Sequence, residues 1–160
     1  MKEIIIDKEK LVQAYKAATD EQKQLLADLY GEEIFRPEYI TERIKTFDDA
    51  FCALGAKHPL VQEFINKISY NSSPDLEAYM MLRIICAALN ESWKADFSNF
   101  AQEKWFPWFC INDGELVFAN AYTAWSYSYS YVGVRLAYKT KELAEYAGKQ
   151  FVDIYQKLLL

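Results

Sequence analysis

One run, Leu76 to Leu89 (LEAYMMLRIICAAL), constrains what this chain can fold into more than any other. After Glu77 it carries a single charge, Arg83, and leaves no polar stripe wide enough to face water. A helix that is apolar on nearly every side belongs in the middle of its domain, with other elements laid over it. The remaining sequence must supply those covering elements.

Before Trp93 the covering elements read as helices. Asp7 caps a helix carrying Leu11, Val12 and Tyr15, and Thr19 or Asp20 caps a second carrying Leu25, Leu26 and Leu29, ended by Gly31. Pro37 interrupts the pattern. Thr46 followed by Asp49 forms a capping arrangement for a short helix, Phe47 to Leu54, closed by Gly55. Pro59 suits the first turn of another, with Leu60, Phe64 and Ile68 on one side.

After Trp93 the period changes. Lys104 to Ile111 is rich in aromatics, Asn112-Asp113-Gly114 is a turn signal, and Leu116 to Ala121 continues as a second strand. Val132 to Tyr138 (VGVRLAY) reads as a third strand, and Pro107 favours an edge or a bulge in the first. Thr140 then caps a final helix with Leu143, Ala147, Phe151, Ile154, Tyr155 and Leu158 at helical spacing. Gly148 inside that helix costs roughly 1 kcal/mol against Ala, which points to close approach of another backbone. The expectation is an α+β fold over residues 1–160 as a single domain. Residues 1–92 are mainly helical, 93–139 form antiparallel strands, and 140–160 form a C-terminal helix that packs with the N-terminal helices on a small sheet.

Charge and cysteine usage bound the partners. A net charge of −5 and a pI near 5.0 argue against broad nucleic-acid binding, which needs a basic footprint. Cys52, Cys86 and Cys110 are far apart, with no CxxC pair, so neither a disulfide framework nor a thiolate metal site is expected. Each sits among apolar neighbours and reads as a buried small hydrophobe. The N-terminal apolar run is too short for a signal peptide. The uncharged stretch 116–134 is interrupted by Asn120, Thr123 and three serines, unlike a membrane span. A soluble, cytoplasmic protein without a membrane partner is expected.

The same stretch supplies the candidate site. Tyr127, Tyr129 and Tyr131 interleave with Ser126, Ser128 and Ser130, behind Tyr122 and Trp125. Tyr, Ser and Trp are the residues binding loops rely on: tyrosine offers a large amphipathic surface with few torsions to freeze, and serine adds adaptable hydrogen bonds. Strand parity refines this. If Val132, Val134, Leu136 and Tyr138 face the core, the alternation carried backwards puts Trp125, Tyr127, Tyr129 and Tyr131 on the outer side, beside Arg135. A bulge or turn at Gly133 would reverse that and bury them. The candidate binding residues are therefore Tyr122, Trp125, Tyr127, Tyr129, Tyr131 and Arg135. Trp105, Phe106, Trp108 and Phe109 form a second aromatic cluster, read first as core between sheet and helices and second as a stacking platform.

No catalytic constellation accompanies them. His58 is the only histidine and has no metal-ligand spacing or visible triad partners. Asp48–Asp49 and Glu32–Glu33 are adjacent pairs whose side chains diverge on a helix. With five glycines in all and no phosphate-cradling loop, no nucleotide cofactor is indicated. No metal and no cofactor are expected, and the chain reads as a non-enzyme.

The run GVRLAYKTKELAEYAGKQF (Gly133 to Phe151), with ITERIKTFDDA, ALNESWKADFSN and WFPWF in the same order, resembles a family of small proteins from gut Bacteroidales and their phages or mobile elements. That resemblance implies an accessory protein carried by a mobile element and brings no catalytic residues. The functional expectation is a binding protein that uses residues 122–135 to contact a protein, a carbohydrate or a small ligand. The alternative is a self-assembling, homo-oligomeric component of a phage or mobile element, virion-associated in that case. An enzyme with a site invisible in sequence ranks third.

Overall fold

The computed structural model describes residues 6–35, 39–68, 72–123 and 134–160, and its helices begin where the capping residues stand. The chain divides into two compact units, Met1–Tyr39 and Ile40–Leu160.

The first unit holds α1 (Lys8–Ala17), α2 (Asp20–Tyr30) and a single turn, α3 (Glu32–Phe35). The Asp7 carboxylate accepts from the Glu9 and Lys10 amides. Thr19, rather than Asp20, caps α2 in a reciprocal box with Gln22. Gly31 ends α2 at φ +84°, a conformation costly for a residue with a Cβ. Tyr15 stacks on Phe35 with ring centroids 4.1 Å apart, over buried Ala27.

The second unit is built round α7 (Pro74–Asn90). From Ala78 to Asn90 none of its residues is exposed, as an all-round apolar helix requires. It packs against α5 (Phe47–Leu54), α6 (Pro59–Lys67), α8 (Lys141–Gln150) and α9 (Val152–Leu159). Thr46 and Asp49 form the expected box at the start of α5, and His58 caps α6 through Nδ1, which accepts from the Leu60 amide at 3.2 Å. One more turn, α4 (Ile40–Arg43), precedes α5.

β1 (Trp105–Asn112) and β2 (Glu115–Thr123) form an antiparallel hairpin, the sheet of the described residues. Asp113 and Gly114 close it, both at positive φ (51° and 85°), which matches the strands' twist. Opposite the step from Trp108 to Phe109, β2 advances two residues, from Asn120 to Phe118, so Ala119 is the extra residue of a bulge. The bulge lets Leu116 and Phe118, at even positions, share the inner face with Ala121, at an odd one. On that face Phe109 lies 4.8 Å from Tyr155 and 6.1 Å from Phe118, and α8 and α9 pack against the hairpin. The fold is α+β.

Three expectations change. Of the expected third strand, Val132–Tyr138, the described residues form a 3-10 turn over Val134–Leu136 and meet the sheet at one bridge, Trp105 with Tyr138. The next residue of β1 on the bridging edge is Pro107, which has no amide N–H to extend a ladder. On the other edge Asn90, buried at the end of α7, donates through Nδ2 to the Ala137 carbonyl (2.7 Å) and accepts at Oδ1 from the Lys139 amide (2.9 Å), holding the chain on either side of Tyr138. The C-terminal helix is interrupted at Phe151 (φ −116°, ψ 26°), a buried residue that ends α8 and starts α9. Gly148 meets side chains rather than another backbone: a Cβ there would collide with the Phe118 ring and stand 2.8 Å from Pro107 Cβ.

Candidate binding surface

The face of the hairpin turned away from α8 and α9 is the one exposed aromatic surface that the described part of the sheet presents. Strand alternation places Phe106, Trp108 and Cys110 on it from β1, and Val117, Asn120 and Tyr122 from β2. Trp108 and Tyr122 are neighbours across the strands, with ring centroids 5.7 Å apart and planes at 78°. Trp108 is 60% exposed and Tyr122 55%, although both belong to types that usually lose most of their surface on folding. Asn120 stands opposite Trp108 in register, and its Oδ1 accepts from the Ala121 amide at 2.8 Å.

Of the residues singled out in sequence, Tyr122 is on this face. Arg135 is exposed in the 3-10 turn. Trp125, Tyr127, Tyr129 and Tyr131 lie outside the described residues. Their parity rested on an unbroken strand back from Tyr138. Residues 134–136 form a turn, and Ala137, assigned to the outer side, is buried with Leu136 and Tyr138, so that count does not carry back. The second aromatic cluster divides. Phe109 packs against Tyr155, Trp105 lies against the core, and Trp108 turns outward. Sequence reasoning missed Trp108 as the partner of Tyr122. The turn at Asp113-Gly114 could have given the pairing, but the bulge at Ala119, which aligns the two rings on one face, has no local signal.

The approach to β1 is held by an unusual buried cation. Lys104 is fully buried, donates from Nζ to the carbonyls of Asn99 (2.8 Å) and Gln102 (2.7 Å), and lies 5.4 Å over the Phe97 ring. These contacts tie the loop ahead of the strand that carries Trp108.

Behind the sheet, Cys86, Asn90, Tyr138 and Tyr155 form a polar cluster in the core. Cys86 Sγ donates to the Ala137 carbonyl at 3.2 Å, and the Tyr138 and Tyr155 hydroxyls are 3.0 Å apart. Burial pushes the Cys86 thiol up to about 12 and raises both phenols above their ordinary value. All three stay protonated at neutral pH and serve as hydrogen-bonding core. Cys52 and Cys110, expected to be buried, are exposed: one lies on the open side of α5, the other on the outward side of β1.

Among the described residues, no three His, Cys, Asp or Glu side chains gather so as to hold a metal ion, and no helix is long and apolar enough to cross a membrane. Comparison with protein-family models, with curated proteins and with solved structures finds no match.

Proposed function

We propose that this chain is a non-enzymatic binding protein whose contact surface is the outer face of the hairpin, continued by the Tyr/Ser/Trp-rich segment that follows β2 directly in sequence. Its contact residues are Tyr122, Trp125, Tyr127, Tyr129, Tyr131 and Arg135, joined by Trp108. One observation carries this reading: Trp108 and Tyr122 are paired edge to face yet each keeps more than half its surface open. Large rings left open on a rigid strand are pre-organised for a ligand, because little side-chain freedom remains to be lost on contact. The ligand class is a protein, a carbohydrate or a small molecule.

The test is a titration of 15N-labelled full-length protein with three probe classes: neutral oligosaccharides, mononucleotides and short neutral peptides. The reading expects at least one class to shift the Trp108 indole N–H signal, identified by its absence in Trp108→Phe. It expects that binding to weaken in Trp108→Ala. Silence from every class would end it.

A second reading, self-assembly as a component of a phage or mobile element, is favoured by the first unit. Leu25 and Leu29 of α2 are exposed one helical turn apart, an apolar pair of the kind that meets another helix. Concentration-dependent sedimentation that Leu25→Ser/Leu29→Ser abolishes would support it. A monomer at all concentrations would exclude it.

A further inference from the structure

Three properties of the outer hairpin face narrow its ligand, given the contact surface proposed above. The first is charge. Phe106, Trp108, Cys110, Val117, Asn120 and Tyr122 are all neutral, and the same alternation adds Asn112 and Glu115 at the turn end, so the one charge of the face is a carboxylate. A phosphorylated or carboxylated ligand calls for a guanidinium fork or clustered lysines; these six positions provide neither, and Arg135, the one cation among the proposed contact residues, stands on the 3-10 turn rather than on either strand.

The second is size. With a rise of about 3.3 Å per residue and strands about 4.8 Å apart, an eight-residue strand and its partner present roughly 260 Å². Covering that face on two copies would bury about 500 Å², well short of the roughly 1,200 Å² at which stable protein interfaces begin. The strands' face by itself suits a ligand a few rings long better than a second protein.

The third is the arrangement of polar groups. Two aromatic planes cross at 78°, with an amide, Asn120, opposite one ring and a phenol hydroxyl on the other. A pyranose has a matching distribution, with an apolar C–H face that lies on an aromatic ring and equatorial hydroxyls at its rim. From these we infer that the outer hairpin face binds a neutral saccharide. One sugar ring stacks on Trp108, and its hydroxyls exchange hydrogen bonds with the Asn120 amide and the Tyr122 hydroxyl.

The oligosaccharide arm of the titration tests this, with linear oligomers of glucose, of xylose and of N-acetylglucosamine as probes, and AMP and short neutral peptides in parallel. The expected result is a shift of the Trp108 indole N–H and of the Asn120 and Tyr122 amides with at least one oligomer. Trp108→Ala should raise that Kd at least about tenfold, as for removal of a central aromatic contact. Trp108→Phe, which keeps a ring, should lose less and guards against a variant that fails for want of folding. Shifts with AMP or peptide but with none of the oligomers would overturn the saccharide assignment and leave the contact surface standing. No shift with any probe would remove both.

Discussion

At the scale of single residues, Gly148 shows that packing decides where propensity misleads. Helix propensity alone gives Gly148→Ala a gain of up to about 1 kcal/mol. The Phe118 ring and Pro107 Cβ, 2.8 Å from where the new methyl would stand, reverse that sign. Overpacking of a close helix–sheet contact costs about 1–3 kcal/mol, so a urea melt should show Gly148→Ala less stable than wild type. The glycine's peculiarity was legible in the sequence, but not what it accommodates, because Phe118 and Pro107 reach it only after the hairpin has folded. Lys104 is the opposite case. Nothing in its local sequence separates it from a surface lysine, and its burial depends on a loop whose carbonyls converge on Nζ. Cys52 and Cys110 were misjudged for a related reason: apolar neighbours in sequence point to other faces of the same helix or strand.

At the scale of elements, capped helices and the two-residue turn were legible because their signals are local. Thr46 with Asp49, Pro59, and Asp113-Gly114 each set the backbone within four residues. The third strand stops at one bridge because its next partner on β1 is Pro107, a pairing that lies about thirty residues away in sequence and has no local signal. The junction with α7 carries a pH prediction. Glu91, following Asn90, sits at φ +56°, a conformation that costs a non-glycine residue about 1–3 kcal/mol and persists here with its carboxylate held by Lys139 (3.1 Å) and Arg43 (3.0 Å). Those two hydrogen-bonded cations, Lys139 foremost, hold the Glu91 carboxyl below its ordinary value. A lowered folded-state value stabilises above the ordinary carboxylate range, and that contribution is lost as pH falls through the lowered value. Glu91→Gln should therefore be less stable than wild type at neutral pH, with the gap closing as the pH is brought below about 4. Because the carboxylate is half exposed, the neutral-pH gap should stay under about 1 kcal/mol. Paired urea melts across the acid range read both features. A gap that widens towards acid would reverse the assigned sign.

At the scale of the whole molecule, the α+β class followed from the change of period near Trp93, and α7 took the central place its composition demanded. The principal buried cluster draws every member from residues 44–155, while Ala27 and Phe35 are buried in the first unit. A chain trimmed to residues 40–160 should accordingly keep a cooperative urea transition, and a non-cooperative melt would show that the core needs the first 39 residues. The candidate site was half legible. Tyr122 and Trp108 were both singled out by residue type, but in separate clusters, because the bulge in β2 that puts them on one face has no local signal. The central claim, that these two rings form a contact surface rather than part of the core, is tested most directly by denaturing Trp108→Ala/Tyr122→Ser beside Phe109→Ala. Phe109 lies one position along β1 but packs, partly buried, on Tyr155, and its truncation should cost about 2 kcal/mol or more. The double variant on the outer face should stay within about 1 kcal/mol of wild type, as exposed substitutions do. A loss from the double variant as large as that from Phe109→Ala would contradict the account.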